Sequence, residues 1–150
     1  MKIYRKVLAF LLSITLGLFV FSTVAYAGSA ASSNYQTPTI NGAYYYQYSV
    51  ISTNSSSVTA STYAHPINQS VGSGWIGGQA KLYNSSGALV YATSYQYNSG
   101  SVSQGSAYIT SHWQNGSYGT SWYSHGYAEY WNGNGYANFQ SYKSPNQTIL

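Results

Sequence analysis

The chain has 150 residues, of which five are lysine or arginine, one is acidic and none is cysteine. The single acidic residue excludes the paired carboxylates of ordinary glycoside hydrolysis. The absence of cysteine excludes disulfides, thiol nucleophiles and thiolate metal sites. By contrast, 19 tyrosines, four tryptophans and four phenylalanines make aromatic residues 18% of the chain.

Residues 1–27 have the three parts of a secretory signal peptide. A basic start (Lys2–Lys6) precedes an apolar run (Val7–Phe21), and an A-x-A peptidase site ends at Ala27. The apolar run is shorter than the roughly 20 residues of a membrane crossing. We predict cleavage after Ala27, with a cut after Ala30 as the alternative.

Cleavage leaves only Lys81, Lys143 and Glu129 as charged side chains, although the precursor has a formal net charge of +4. Two scattered lysines form no basic patch, so we expect no binding to nucleic acid and no stable association with membranes. A cysteine-free exported chain is typical of Gram-positive bacteria. We therefore expect a secreted, extracellular monomer, either free or associated with the cell wall.

After the signal, residues 28–39 are small and polar and predict a flexible leader, and residues 40–150 predict a single β domain. Short runs of aromatic and β-branched residues alternate with turn residues, and no 3.6-residue apolar period occurs. The predicted strands are Tyr44–Ile51, Ser57–Ala64, Trp75–Tyr83, Ala88–Tyr97, Ser106–Trp113, Gly119–Trp131 and Tyr136–Tyr142.

The breaks between the last five runs contain Asn-Gly pairs and related turn residues, such as Asn84–Gly87, Asn115-Gly116 and Asn132–Gly135. These residues tolerate the positive φ angles of tight hairpins, and they predict a meander. The sequence therefore predicts an all-β, antiparallel β-sandwich of about seven short strands, with a small closed β-barrel as the alternative.

Alternation along each run predicts which side chains face the core. In the run from Gly119 to Trp131 we take the side that carries Glu129 as outward. The predicted inward side chains are Ala80, Leu82, Ala107, Ile109, Trp113, Trp122, Ser124, Gly126, Ala128, Tyr130, Ala137 and Phe139.

Several stretches of the domain resemble a known group of proteins: Leu82–Val90, Tyr95–Asn98, Tyr123–Gly126, Trp131–Tyr136 and Ser144-Pro145. Together they are similar to the YolA-like small secreted proteins of Bacillus and its relatives, some of which are carried by prophages. The resemblance covers roughly Trp75 to Leu150 and implies secretion, but no activity and no site residues. The composition is also similar to that of the lactococcin 972-type bacteriocins.

Catalytic chemistry has little support in the chain. No G-x-S-x-G motif marks a serine nucleophile. His125 and Glu129 lie on one face of a strand but about 13 Å apart, because each residue adds 3.3–3.4 Å. A zinc site of His112, His125 and Glu129 is the one metal arrangement the sequence offers, and surface histidines explain the same residues. We predict a non-catalytic protein without metal or cofactor.

The aromatic residues are the feature left to explain. Tyrosine is a good strand former, so part of the content is structural. Aromatic rings flanked by amides and hydroxyls also bind sugars and protein partners. We predict a ligand-binding surface made of Tyr108, Tyr123, Tyr127, Trp131, Tyr136 and Tyr142. The leading hypothesis is a binding module for cell-wall or extracellular glycan or for a cell-surface protein. The alternatives are a bacteriocin-like antagonist and an extracellular matrix or fibre protein.

Overall fold

The computed structural model describes residues 28–150, which contain thirteen β-strands and no helix. The predicted signal peptide, residues 1–27, lies outside the described residues. Accordingly, residues 28–150 contain no helix long and apolar enough to cross a membrane. The strands are β1 (Ser29–Ala31), β2 (Tyr35–Gln36), β3 (Tyr45–Thr53), β4 (Ser57–Pro66), β5 (Ile76–Gln79), β6 (Lys81–Asn84), β7 (Leu89–Ala92), β8 (Gln96–Tyr97), β9 (Tyr108–Asn115), β10 (Ser121–Ser124), β11 (Tyr127–Trp131), β12 (Tyr136–Gln140) and β13 (Gln147–Thr148).

The first layer is one five-stranded antiparallel sheet in the order β1-β3-β4-β9, with β2 also paired to β3. Its centre is the long hairpin of β3 and β4, which pair from Tyr45↔Pro66 to Thr53↔Val58. Asn54 closes this hairpin, because its side-chain oxygen accepts hydrogen bonds from the backbone N–H groups of Ser56 and Ser57 at 2.9 and 2.7 Å.

The second layer consists of two four-stranded antiparallel sheets that lie end to end. Their orders are β13-β10-β6-β7 and β12-β11-β5-β8. Only Ala80 separates β5 from β6, and only His125 and Gly126 separate β10 from β11. Backbone hydrogen bonds still cross this break, from Thr93 N–H to Ala80 O at 3.0 Å and from Ser141 N–H to Gly126 O at 3.1 Å. The four long runs therefore continue through the break.

Two apolar clusters fill the space between the layers. The larger includes Tyr45 and Tyr130, whose rings stack at 3.9 Å, and the smaller includes Ile51 and Leu82. Buried polar side chains also lie between the layers. In one chain of hydrogen bonds, Tyr130 OH donates to Gln47 Oε1 at 2.8 Å and Gln47 Nε2 donates to the carbonyl of Phe139 at 2.9 Å.

Two glycines let the layers approach closely. A Cβ on Gly126 would overlap the hydroxyl of Thr62, and a Cβ on Gly78 would overlap the hydroxyl of Thr110. Ser49 completes the contact at Gly126, because its hydroxyl oxygen accepts a hydrogen bond from Gly126 N–H at 2.9 Å. Backbone approach of this kind needs a residue without a side chain.

The predicted all-β sandwich is confirmed, and none of the three sheets in residues 28–150 closes into a barrel. Each predicted strand overlaps an observed one, but three of the seven are broken in two. The predicted meander is wrong, because β9 crosses to the first layer and pairs with β4. Residues 28–39 also differ from the predicted flexible leader: β1 and β2 pair with β3.

The predicted inward faces are right in the second layer and wrong in β9. Ala128 and Tyr130 are fully buried as predicted. In β9, however, Ile109 and Trp113 are 46% and 58% exposed, whereas Thr110 is buried. The inner side of β9 instead carries Tyr108, Thr110 and His112, and Thr110 fits there because the residue that faces it, Gly78, has no side chain.

Candidate functional site

The candidate site is the outer face of the second layer, called here the second-layer face. Its side chains alternate with the buried Leu82, Ala128 and Tyr130, so they point away from the core. The face is made of Lys81, Tyr83, Tyr97, Tyr123, His125, Tyr127, Glu129, Trp131, Tyr136 and Asn138.

The acidic group of this face is held by a tyrosine and an amide. Glu129 lies opposite Gly77, and Gly77 lies opposite Tyr97. A Cβ on Gly77 would lie 2.8 Å from the Tyr97 ring, so the glycine leaves room for that ring to cross to Glu129. The Tyr97 hydroxyl donates to Glu129 Oε1, and Asn138 Nδ2 donates to Oε2 at 3.5 Å. The hydrogen bond to Glu129, with burial and the carboxylate charge, raises the pKa of Tyr97 to about 12.

The two lysines of residues 28–150 both lie over tyrosine rings. Lys81 Nζ is 4.1 Å from the centre of the Tyr127 ring, and Lys143 Nζ is 3.8 Å from the centre of the Tyr123 ring. Tyr123 in turn stacks on Tyr83 across the strand pair, with ring centres 5.0 Å apart. Each cation–π contact contributes about 0.5–1 kcal/mol at an exposed site. The rings therefore hold the two ammonium groups in place.

His125 lies among these groups, at the break in the second layer. Its backbone N–H donates to Lys81 O at 3.3 Å, and its Nδ1 is 3.2 Å from Gln140 Nε2. Burial and the charges of Lys81 and Lys143 lower the pKa of His125, against a carbonyl of Ser141 that raises it. The imidazole is therefore neutral near pH 7.

One end of the second-layer face forms a shallow cleft of about 320 Å³, called here the aromatic cleft and lined by Ser73, Gly74, Trp75, Trp131 and Tyr136. The rings of Trp131 and Tyr136 meet edge to face at 5.5 Å. The Tyr136 hydroxyl donates to the carbonyl of Gly74 at 2.7 Å, and the backbone N–H of Trp131 donates to the backbone carbonyl of Trp75 at 2.9 Å. These contacts fix the aromatic walls of the cleft.

The structure brings together four of the six side chains that the sequence predicted as the binding surface. Tyr123, Tyr127, Trp131 and Tyr136 all lie on the second-layer face. Tyr123 is only 8% exposed, because neighbouring groups such as Lys143 cover its ring.

The other two predicted side chains lie elsewhere. Tyr108 belongs to β9 of the first layer, and its ring points inward, near Gly78. Tyr142 follows the end of β12, is 51% exposed, and packs edge-on against Tyr35 at 5.8 Å. Both were assigned by alternation, which fails where β9 changes layer and where β12 has ended.

Sequence reasoning missed Trp75, Tyr83 and Tyr97 as members of the site. Tyr83 was predicted to face outward, opposite Ala80 and Leu82, and that assignment is correct. What was missing was the pairing of β6 with β10, which places Tyr83 beside Tyr123. Such long-range pairing has no local signal in the sequence.

The histidines do not assemble a metal site with Glu129. Within residues 28–150, no three histidine, cysteine, aspartate or glutamate side chains lie close enough to hold a metal ion. His112 lies on β9 of the first layer and its ring stacks on Tyr91 of β7 at 3.4 Å, whereas His125 lies in the link between β10 and β11.

Comparisons of the chain with models of known protein families, with curated proteins and with solved structures found no match. Its function is therefore argued from the second-layer face alone.

Proposed function

We propose that this protein is a secreted, non-catalytic binding module that binds cell-wall or extracellular glycan on its second-layer face. The observation that carries the proposal is the aromatic cleft, where Trp75, Trp131 and Tyr136 converge next to a row of tyrosines. Aromatic faces stack on the apolar faces of sugar rings, and amides such as Asn138 bond to sugar hydroxyls.

The geometry favours binding because the rings are already fixed. Tyr136 is held by Gly74, Tyr97 by Glu129, and Tyr83 and Tyr123 by each other. A ligand that docks on ordered side chains avoids the cost of about 0.5–1.5 kcal/mol for each side chain that it would otherwise immobilise. An extended polymer fits such a surface better than a small compact ligand, because the row extends over four neighbouring strands.

The test is retention of the protein on insoluble cellulose, chitin and peptidoglycan. Trp131→Ala removes one wall of the cleft and should weaken binding about 30-fold, the effect of losing a central aromatic contact. Trp113→Ala is the matched control, because Trp113 is 58% exposed but lies on the first layer. It should leave retention unchanged.

Circular dichroism and thermal unfolding establish that both variants fold. Failure of the folded protein to bind any of the three polysaccharides would overturn the proposal. Equal loss of retention in Trp113→Ala and Trp131→Ala would do so as well.

A further inference from the structure

The charged side chains of residues 28–150 are few but concentrated. Lys81, Lys143 and Glu129 all lie on or beside the second-layer face, and His125 lies along the run between Tyr123 and Tyr127, whose rings the two lysines cover. Lys81 belongs to β6, His125 to the link between β10 and β11, and Lys143 to the segment after β12. Three neighbouring runs of the sheet therefore carry three nitrogen-bearing side chains on the same face.

The rings beneath the lysines hold them over a common surface. Lys81 lies over Tyr127 and Lys143 over Tyr123, at 4.1 and 3.8 Å. Tyr83 joins the two halves: it stacks on Tyr123 at 5.0 Å, and its ring centre is 6.3 Å from that of His125. An ammonium group over a ring face keeps its donors free on the solvent side, because the ring occupies one side only.

Glu129 leaves the lysine charges unpaired. Its hydrogen bonds come from the Tyr97 hydroxyl and the Asn138 amide. Asn138 and Glu129 are opposite each other on β12 and β11, whereas His125 precedes β11. The carboxylate is therefore satisfied at a different place on the face, and within residues 28–150 no acidic side chain is in hydrogen-bond contact with Lys81, Lys143 or His125.

We propose that Lys81, Lys143 and His125 form an anion site, so that the ligand is a glycan carrying phosphate or carboxylate groups. This inference rests on the proposed function, which supplies the sugar contacts in the aromatic cleft. Lysine is a compact charge with three donors and suits either anion. The aromatic cleft binds sugar rings of the same polymer, so the second-layer face contacts both the sugars and the anionic groups.

The environment of His125 supports the assignment. Burial lowers the pKa of this imidazole, and the charges of Lys81 and Lys143 lower it further. The groups that face it are Lys81 and Tyr83 from β6, Lys143, and Gln140 with the carbonyl of Ser141. A bound anion offsets the lysine charges, so the pKa of His125 should rise on binding.

The experiment measures the Kd of the full protein for four soluble polymers by calorimetry at low salt. Poly(glycerol phosphate) carries phosphate, polygalacturonate carries carboxylate, and dextran and chitohexaose are neutral. The variant Lys81→Gln/Lys143→Gln removes both charges, and Lys81→Arg/Lys143→Arg keeps them. We expect about fivefold weaker binding of the anionic polymers for each charge removed, and little change in the arginine variant.

The salt dependence of the affinity and the NMR titration of His125 are two measurements that a purely structural role of the lysines would not change. Affinity for the anionic polymer should fall as salt rises from 20 to 300 mM, and the His125 ring signals should titrate at higher pH in the complex. Preference for one anionic polymer over the other identifies the anion.

Several outcomes overturn the inference. One is equal affinity for neutral and anionic polymers, and another is unchanged affinity in the glutamine variant. Trp131→Ala separates the two proposals: if it weakens binding while the glutamine variant does not, the glycan proposal stands and the anion site falls. If neither variant changes binding, both fall.

Discussion

Both outer faces of the sandwich are rich in tyrosine, but the tyrosines have different neighbours. On the first-layer face, Tyr46, Tyr48, Tyr63 and His65 stack on one another, with Tyr46 on His65 at 4.3 Å and Tyr48 on Tyr63 at 4.8 Å. These are directly opposed residues of β3 and β4. These rings cover each other, and the two cation–π contacts of residues 28–150 lie on the other face.

On the second-layer face the rings also pair, as Tyr83 does with Tyr123, but they contact charged groups as well. Gly77 opens a gap that Tyr97 crosses, lysines lie over Tyr123 and Tyr127, and the row ends in a cleft. Cross-strand stacking alone stabilises a sheet. The contrast shows that the same residue type serves the sheet on one face and presents a surface on the other, according to what lies opposite it.

The largest expected effect concerns the scaffold that both faces share. Gly126→Ala places a methyl group against the Thr62 hydroxyl, 2.6 Å from the carbonyl of Gln79. We expect the free energy of unfolding to fall by about 2–3 kcal/mol, because the layers cannot move apart without losing core contacts. Urea unfolding measures this. Gly100→Ala is the control, since nothing lies within 4 Å of its added methyl, and a similar loss there would contradict the close-packing account.

The next effect separates the two faces. Tyr48→Ala removes the ring between Tyr63 and His65 and should cost about 2 kcal/mol of stability, by lost burial and lost stacking, without weakening glycan retention. Tyr118→Ala, at a side chain that is 78% exposed, should change stability by less than about 0.5 kcal/mol. A Tyr48 variant that is stable but no longer binds would reverse the roles of the faces.

A third, smaller effect reports on the second-layer face at high pH. The pKa of Tyr97 is about 12 because its hydroxyl donates to Glu129. A raised tyrosine pKa means that the unfolded state loses its proton first, so this contribution to stability is complete below pH 10 and is lost as the pH rises towards 12. Glu129→Gln should lower the Tyr97 pKa. Phenolate absorbance measures the tyrosine titration, and the part of it that is missing in Tyr97→Phe belongs to Tyr97. An unchanged titration would show that the hydrogen bond is absent.

The smallest effect concerns His125 at low pH. Its pKa lies below the ordinary 6.5, so between these two values the unfolded state binds the proton and the folded state does not. Stability should therefore decrease as the pH falls through 6.5, and His125→Gln should reduce the decrease. Urea unfolding at several pH values measures it. If stability decreases equally with falling pH in His125→Gln, a titratable group other than His125 causes the decrease.

Much of the fold followed from the sequence, because alternation and turn residues act locally. Asn84–Gly87 forms the predicted turn, with Gly87 at a φ of 90°. The break at His125 and Gly126 was not predicted, and the close contact there is with Thr62, which lies far away in the chain.

The site was predictable only along one run of the sequence, which the structure divides into β10 and β11. Tyr123, Tyr127 and Trp131 alternate on one run, so their shared face was readable. Their neighbours Tyr83 and Tyr97 arrive from β6 and β8 by pairing between distant segments. Tyr108 was assigned to the wrong layer for the same reason: its position depends on β9 pairing with β4 rather than with a neighbour in sequence.

The central claim is that the second-layer face binds ligand and the first-layer face does not. The four tryptophans, at positions 75, 113, 122 and 131, test it most directly, because each indole N–H gives one NMR signal. On addition of a soluble fragment of the polysaccharide that retains the protein, the signals of Trp75 and Trp131 should shift and that of Trp113 should stay in place. A shift of Trp113 with Trp75 and Trp131 unchanged would contradict the account.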